Sequence, residues 1–163
     1  MTHQATTKAG CLMLACGNTL RGDDGVGPWL AAWAEERFAS DARVRVLVRQ
    51  QWTPELAQDV AEAQAVIFVD CAVDLGPGEV RVSSVELADG AGSALATHHL
   101  GAAELVALSK ELYGAMPGSS LLLTVGAGSL ELGEGFSEAV KAALPAVCAR
   151  LEKAVLEMLA DPG

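Results

Sequence analysis

CLMLACGNTLRGDDGVG, residues 11–27, joins an unbroken apolar run to a glycine-rich loop that carries two adjacent aspartates, Asp23 and Asp24. An apolar run of this length without alternation reads as a strand covered on both faces of a parallel sheet. AVIFVD (65–70) and LLLTVG (121–126) read the same way. RVRVLVR (43–49) and EVRVS (79–83) alternate instead, with valines on one face and charges on the other. One-sided charged strands belong at sheet edges, where they also block unwanted pairing. The chain therefore carries three central strands and two edge strands.

Helical patterns fill the intervals. From Val26 to Phe38 the residues Val26, Trp29, Leu30 and Trp33 form an apolar stripe. A short helix begins near Pro54, with Thr53 as its cap and proline in its first turn. Leu100, Leu105, Leu108 and Leu112 line a third helix that ends at Gly114. The fourth runs from about Ser137 to Leu159, turns Val140, Leu144, Val147, Leu151 and Val155 inward, and is kinked or restarted at Pro145.

Strands alternating with helices imply βαβ units with right-handed crossovers. The link CAVDLGPG (71–78) is too short for a helical crossover, so the strand after it runs antiparallel. The expected fold is a three-layer α/β sandwich around a five-stranded, mostly parallel sheet of order 2-1-3-5-4. Residues 1–163 are read as a single domain.

Half the chain is apolar (51%) but only 4% is aromatic, so valine, leucine and alanine must build the core. Eleven basic residues against 21 acidic ones give a net charge of −10, which argues against nucleic acid and anionic membrane as partners. Cys11, Cys16, Cys71 and Cys148 form no CxxC pair and no zinc-type spacing. A reducing, cytoplasmic setting is expected. LMLAC (12–16) faintly resembles a lipoprotein cleavage site, but its apolar stretch is short and it is read as a buried strand.

In such a sheet, ligands sit beyond the carboxyl ends of the strands where the winding reverses, here between strands one and three. The loop GNTLRGDDGVG (17–27) leaves strand one, and Asp70 ends strand three, so two sources of carboxylate meet at one crevice. The loop is not GxGxxG, and its aspartates would repel a phosphate at the following helix, which counts against a nucleotide. One aspartate of the pair is expected to cap the helix that starts near Gly25, leaving the other free. THHLG (97–101) opens a further helix, where a helix N-terminus keeps His98 or His99 neutral and able to ligate a metal. Two aspartates and an imidazole form a nitrogen–oxygen set suited to nickel, zinc or manganese. There is no GxSxG elbow, HExxH helix, or aspartic-protease DTG or DSG. Cys71 follows Asp70 directly, so their side chains should point to opposite faces of the sheet.

At these residues the sequence resembles the maturation endopeptidases of nickel–iron hydrogenases. GNTLRGDDGVG matches the family's GN-x-L-x-x-D-(D/E)-G-x-G at every defined position. IFVDCAVDLGPGEV resembles its second signature, THHLG its histidine at a helix start, and LLLTVGAGSLELGEGFSEAV its last strand, loop and closing helix. The likeness spans nearly the whole chain. It implies a protease that removes a short C-terminal extension from the hydrogenase large-subunit precursor after nickel has been inserted. It also implies that Asp24, Asp70 and His98 are the catalytic and metal-contacting residues. The nickel would be the substrate's own, held by its cysteine thiolates, with no resident cofactor, and the protein would act as a monomer. The chain departs from the family pattern at three places. Thr97 stands where proline is usual, which leaves His99 a competitor for His98, and Cys71 stands where alanine is common. RQQWTPEL (49–56) replaces an Asp-Gly-Gly-Thr-like turn and looks more like the branch serving soluble, NAD-coupled hydrogenases. The alternative is a non-catalytic nickel-binding assembly factor or metallochaperone of the same pathway.

Overall fold

The computed structural model describes residues 9–87, 100–133 and 135–161. Five strands, β1 (Cys11–Cys16), β2 (Val44–Arg49), β3 (Ala65–Ala72), β4 (Val80–Ser84) and β5 (Ser119–Gly126), form one sheet of order β2-β1-β3-β5-β4. β1 pairs in parallel with β2 and β3, β3 pairs in parallel with β5, and β4 runs antiparallel to β5. This is the order and the single reversal expected from the apolar runs and the short 71–78 link. β1 is buried along its whole length, whereas Arg45 on β2 and Arg81 on β4 are exposed at the edges.

The helices are α1 (Val26–Arg37), α2 (Ala57–Ala61), α3 (Ala102–Tyr113) and α4 (Glu138–Ala160). Strand alternation divides the core between two layers. Cys11, Met13, Ala15, Ile67 and Val69 meet α1 and α4, while Leu12, Leu14, Val66 and Phe68 meet α2 and α3. Within the described residues no helix is long and apolar enough to cross a membrane.

Three details differ from the helical patterns. Trp29 is 39% exposed and packs edge-on against Phe136, with centroids 6.4 Å apart, in place of facing inward. The buried face of α1 is made instead by Val26, Gly27, Leu30, Ala31 and Ala34, because the helix starts too close to the sheet for a large side chain. A Cβ at Gly27 would lie 2.2 Å from the Cys16 carbonyl oxygen. On α3, Leu112 is exposed, Leu100 precedes the helix, and the buried residues are Ala102, Leu105, Val106 and Ser109. α4 runs through Pro145 as one helix and does not restart there. Burial of Val140, Val147, Leu151, Val155 and Met158 offsets the hydrogen bond that proline removes, a defect worth about 3 kcal/mol.

Candidate active site

The carboxyl ends of β1 and β3 open into a cleft of about 430 Å³. Asp24 and Asp70 both line it, together with Cys16, Gly17 and Cys71 from the strand ends, Gln50, Gln51 and Trp52 after β2, and Leu100 and Gly101 before α3. The winding reversal thus brings the two predicted carboxylates to one space. Residues 88–99, His98 and His99 among them, lie outside the described residues. The chain is next described at Leu100, which is on the cleft wall. Among the described residues, no three His, Cys, Asp or Glu side chains are grouped as a metal set.

Asp24 is positioned by its own loop. Its Oδ2 accepts from Asn18 N at 2.7 Å, and Asn18 Oδ1 in turn accepts from Leu20 N at 2.9 Å. Gly17 permits the tight exit from β1: its φ is +152°, and a Cβ there would lie 2.0 Å from the Asp24 carbonyl oxygen. Asp70 is half-buried at the end of β3, and its Oδ1 accepts from Cys71 N at 2.7 Å. The Cys16 thiol, from the neighbouring strand, also hydrogen-bonds the Asp70 carboxylate.

Neither aspartate of the pair caps α1, contrary to expectation, since that helix has no side-chain cap. A 3₁₀ turn over Gly22–Gly25 precedes the helix and aims the two side chains in different directions. Asp24 turns to the cleft. Asp23 is fully buried and reaches across to the segment between β5 and α4. There its Oδ2 accepts from Gly128 N, Ser129 N and Ser137 Oγ at 2.7, 3.0 and 2.7 Å, and its Oδ1 accepts from Ser137 N at 2.7 Å. Burial alone would raise its pKa, but these four hydrogen bonds outweigh it and hold the carboxyl below its ordinary value. Backbone bonds complete the join: Gly22 N donates to Gly133 O at 3.0 Å, and Gly133 N to Leu20 O at 2.8 Å.

The cysteines beside the aspartates are poor nucleophiles at neutral pH. Cys71 is pushed up to about 12 by burial and then by the charges of Asp24, Asp70 and Asp23. Cys16 is raised further, by burial first and then by Asp70. Cys71 packs with Ile67 and Val69 toward the α1 and α4 side, while Phe68, the residue two before Asp70, faces α2 and α3, in keeping with strand alternation.

Sequence reading passed over Trp52 and Cys16 as wall residues, and over the tie from Asp23 to Ser137. RQQWTPEL reads only as a likeness to one branch of the family and does not mark its residues as cleft wall, and a tie spanning more than a hundred residues leaves no trace in local spacing. The signal available was the adjacent pair itself: two carboxylates in one turn must face different partners.

The HycI family model, described as hydrogenase maturation protease, matches residues 35–154. No curated protein matches the chain. Among solved structures, the chain is similar to the HycI [NiFe] hydrogenase maturation protease of Thermococcus kodakarensis, with 26% identity, 96% of each chain covered and a TM-score of 0.66. The hydrogenase 2 maturation peptidase of a Thaumarchaeota archaeon is 27% identical over 89% of this chain and 97% of that one, with a TM-score of 0.62. The hydrogenase maturating endopeptidase HybD from E. coli, 23% identical over 90% of this chain and 92% of its own, shares the fold with a TM-score of 0.69. With the family model matched over most of the chain, this chain belongs to the hydrogenase maturation protease family and is a hydrolase of the endopeptidase type.

Proposed function

We propose that the protein removes a short C-terminal extension from the large-subunit precursor of a nickel–iron hydrogenase, and that it reads the nickel already installed in that substrate. The observation that carries this reading is the presence of Asp24 and Asp70 on the walls of one cleft at the winding reversal. His98 is the proposed third contact, supplied from the segment that leads to the cleft at Leu100. The metal is part of the substrate and not a resident cofactor. Cysteine thiolates of the precursor hold it, and harder oxygen and nitrogen groups of the protease complete its coordination.

The cleft residues have separable tasks in this scheme. Asp23, with its oxygens engaged by four donors, is a structural anchor and does not serve as a base. Asp24 and Asp70 are therefore the carboxylates left to contact the metal and to accept a proton from the attacking water. The precursor's nickel supplies a Lewis acid beside the scissile carbonyl. The likeness of RQQWTPEL to the branch serving soluble, NAD-coupled hydrogenases is what supports assignment to that branch, and Gln50, Gln51 and Trp52 of that stretch line the cleft. A cytoplasmic, monomeric enzyme fits that role.

Nickel-loaded and nickel-free precursor, each mixed with the protein and followed by mass spectrometry, test the proposal. Cleavage is expected only of the loaded form. Equal cleavage of both would refute recognition of the metal. Tight stoichiometric metal uptake by the protein alone, with neither precursor cut, would identify an assembly factor instead.

A further inference from the structure

The first turn of α1 carries a tryptophan that the fold does not bury. Trp29 is 39% exposed, and its ring meets the half-buried Phe136 edge-on, with centroids 6.4 Å apart and planes at 79°. Beside the pair lies a groove of about 360 Å³, walled by Gly22, Gly25 and Pro28 as well as the two rings. None of its described lining residues is charged, and Thr19 and the Trp29 indole supply its polar side-chain atoms. Leu20, next to Thr19, is exposed, and so is Leu132, beside the Gly133 N–H that donates to the Leu20 carbonyl. Single apolar residues on a surface need no explanation, but an apolar hollow ringed by several of them marks a place where something binds.

The position of the groove says what binds there. Gly17 and Asp24 line the cleft, while Thr19, Gly22 and Gly25 line the groove, so one loop is the partition between the two. Asp24 and Gly25 are consecutive residues of different walls. The hydrogen bonds of Asp23 to Gly128, Ser129 and Ser137 fasten that partition, so the groove is fixed relative to the cleft. A segment that reaches Asp24 to be cut is attached to a folded protein, which must stand over the rim of the cleft. A specific contact between folded proteins buries about 800 Å² on each side, an area that extends past one cleft onto the surface around it. Tryptophan is among the side chains that most often anchor such contacts. A second copy of this chain seated on the groove would stand over the same loop and obstruct the cleft.

We propose that the Trp29–Phe136 groove is a docking site for the folded body of the large-subunit precursor, taking an apolar side chain from that protein's surface while its C-terminal segment lies in the cleft. The inference rests on the peptide-cleaving reading given above. The groove has room for one or two bulky side chains, and with no charge on its lining it asks for no counter-charge from the partner. The edge-on packing of the two rings holds Trp29 in place before the precursor arrives, so little side-chain freedom is lost on binding.

Steady-state cleavage of nickel-loaded precursor tests the proposal. Trp29→Ala should raise KM about tenfold or more, the effect of losing an interface anchor, with a smaller change in kcat. Thr19→Arg, at an exposed position on the groove, places a long charged side chain at its mouth and should raise KM as well while keeping the aromatic pair. Leu156→Ala removes an exposed apolar side chain near the far end of α4 and should leave KM at the wild-type value. Wild-type KM in both groove variants, or an equal rise in Leu156→Ala, would overturn the proposal while leaving the peptidase reading intact. A wild-type dimer that Trp29→Ala converts to monomer with KM unchanged would also overturn it, assigning the groove to a second copy. Wild-type protein that leaves the loaded precursor uncut would instead remove the peptidase reading, and this inference with it.

Discussion

Asp23, in the loop after β1, accepts hydrogen bonds from both the backbone N–H and the hydroxyl of Ser137, the N-cap of α4, each at 2.7 Å. The contact spans 114 positions of sequence. It ties the loop that carries Asp24 to the start of the last helix. A stable position for Asp24 therefore depends on a neighbour that never enters the cleft wall.

Asp23→Ala should be among the most destabilising single changes in the chain. Gly128, Ser129 and Ser137 would lose their shared acceptor inside a closed loop junction. Three orphaned donors and the lost hydroxyl contact amount to about 2–4 kcal/mol, read as a lower urea midpoint at unchanged slope. Precursor cleavage should fall as well, since the neighbouring Asp24 is carried on the same turn.

Two pH limits on stability follow from buried groups. The folded pKa of Asp23 is depressed, so its contribution is present above the ordinary aspartate range and is lost as pH falls through the folded value. Unfolding free energy should therefore decline below about pH 4, and that decline should be shallower in Asp23→Ala. Cys11 behaves oppositely. Burial pushes its thiol up to about 12, so its contribution is present below the ordinary thiol value and is lost as pH rises toward 12. Denaturation measured across both flanks checks each sign.

Gly27→Ala should separate α1 from β1. The new methyl would lie 2.2 Å from the Cys16 carbonyl oxygen, and backbone on that side cannot give way as a side chain could. A loss of about 1–3 kcal/mol is expected, equivalent to about 2–4 °C in Tm for each kcal/mol in a chain of this size. Because Cys16 adjoins the cleft, activity should drop beyond the fraction unfolded.

Asp24→Ala, Asp70→Ala and His98→Ala should each abolish precursor cleavage with the circular dichroism spectrum retained. Asp24→Ala gives up one hydrogen bond, from Asn18 N, worth about 1 kcal/mol. Wild-type turnover in all three would take this cleft out of consideration as the active site.

Native-state alkylation with iodoacetamide at pH 7 should leave Cys11 and Cys71 unlabelled. Both thiols are held up to about 12, Cys71 by burial and by the charges of Asp24, Asp70 and Asp23. Rapid labelling of Cys71 would point to a thiolate and revive a cysteine mechanism.

The sequence by itself determined the sheet. Continuous apolar runs can be buried only in the middle, alternating runs with arginines can lie only at the edges, and an eight-residue link cannot cross over. Those constraints are local in the chain, so order and direction were legible, and the winding reversal then fixed which end holds the cleft. That a carboxylate of the 17–27 loop meets Asp70 was legible for the same reason, whereas the choice of Asp24 over Asp23 came from the family resemblance. What only the tertiary structure decided was the role of each residue around them. Adjacent aspartates are equivalent as letters; one became a buried anchor because a loop more than a hundred residues away offered four donors, and the other turned to the cleft. Trp52 stands in a stretch whose letters show only a likeness to one branch of the family; that its ring packs edge-on to Phe68, with its indole nitrogen buried, is decided by the tertiary structure. Hydrogen-bond satisfaction is a property of all the atoms around a group, and the letters next to it in the chain do not contain it.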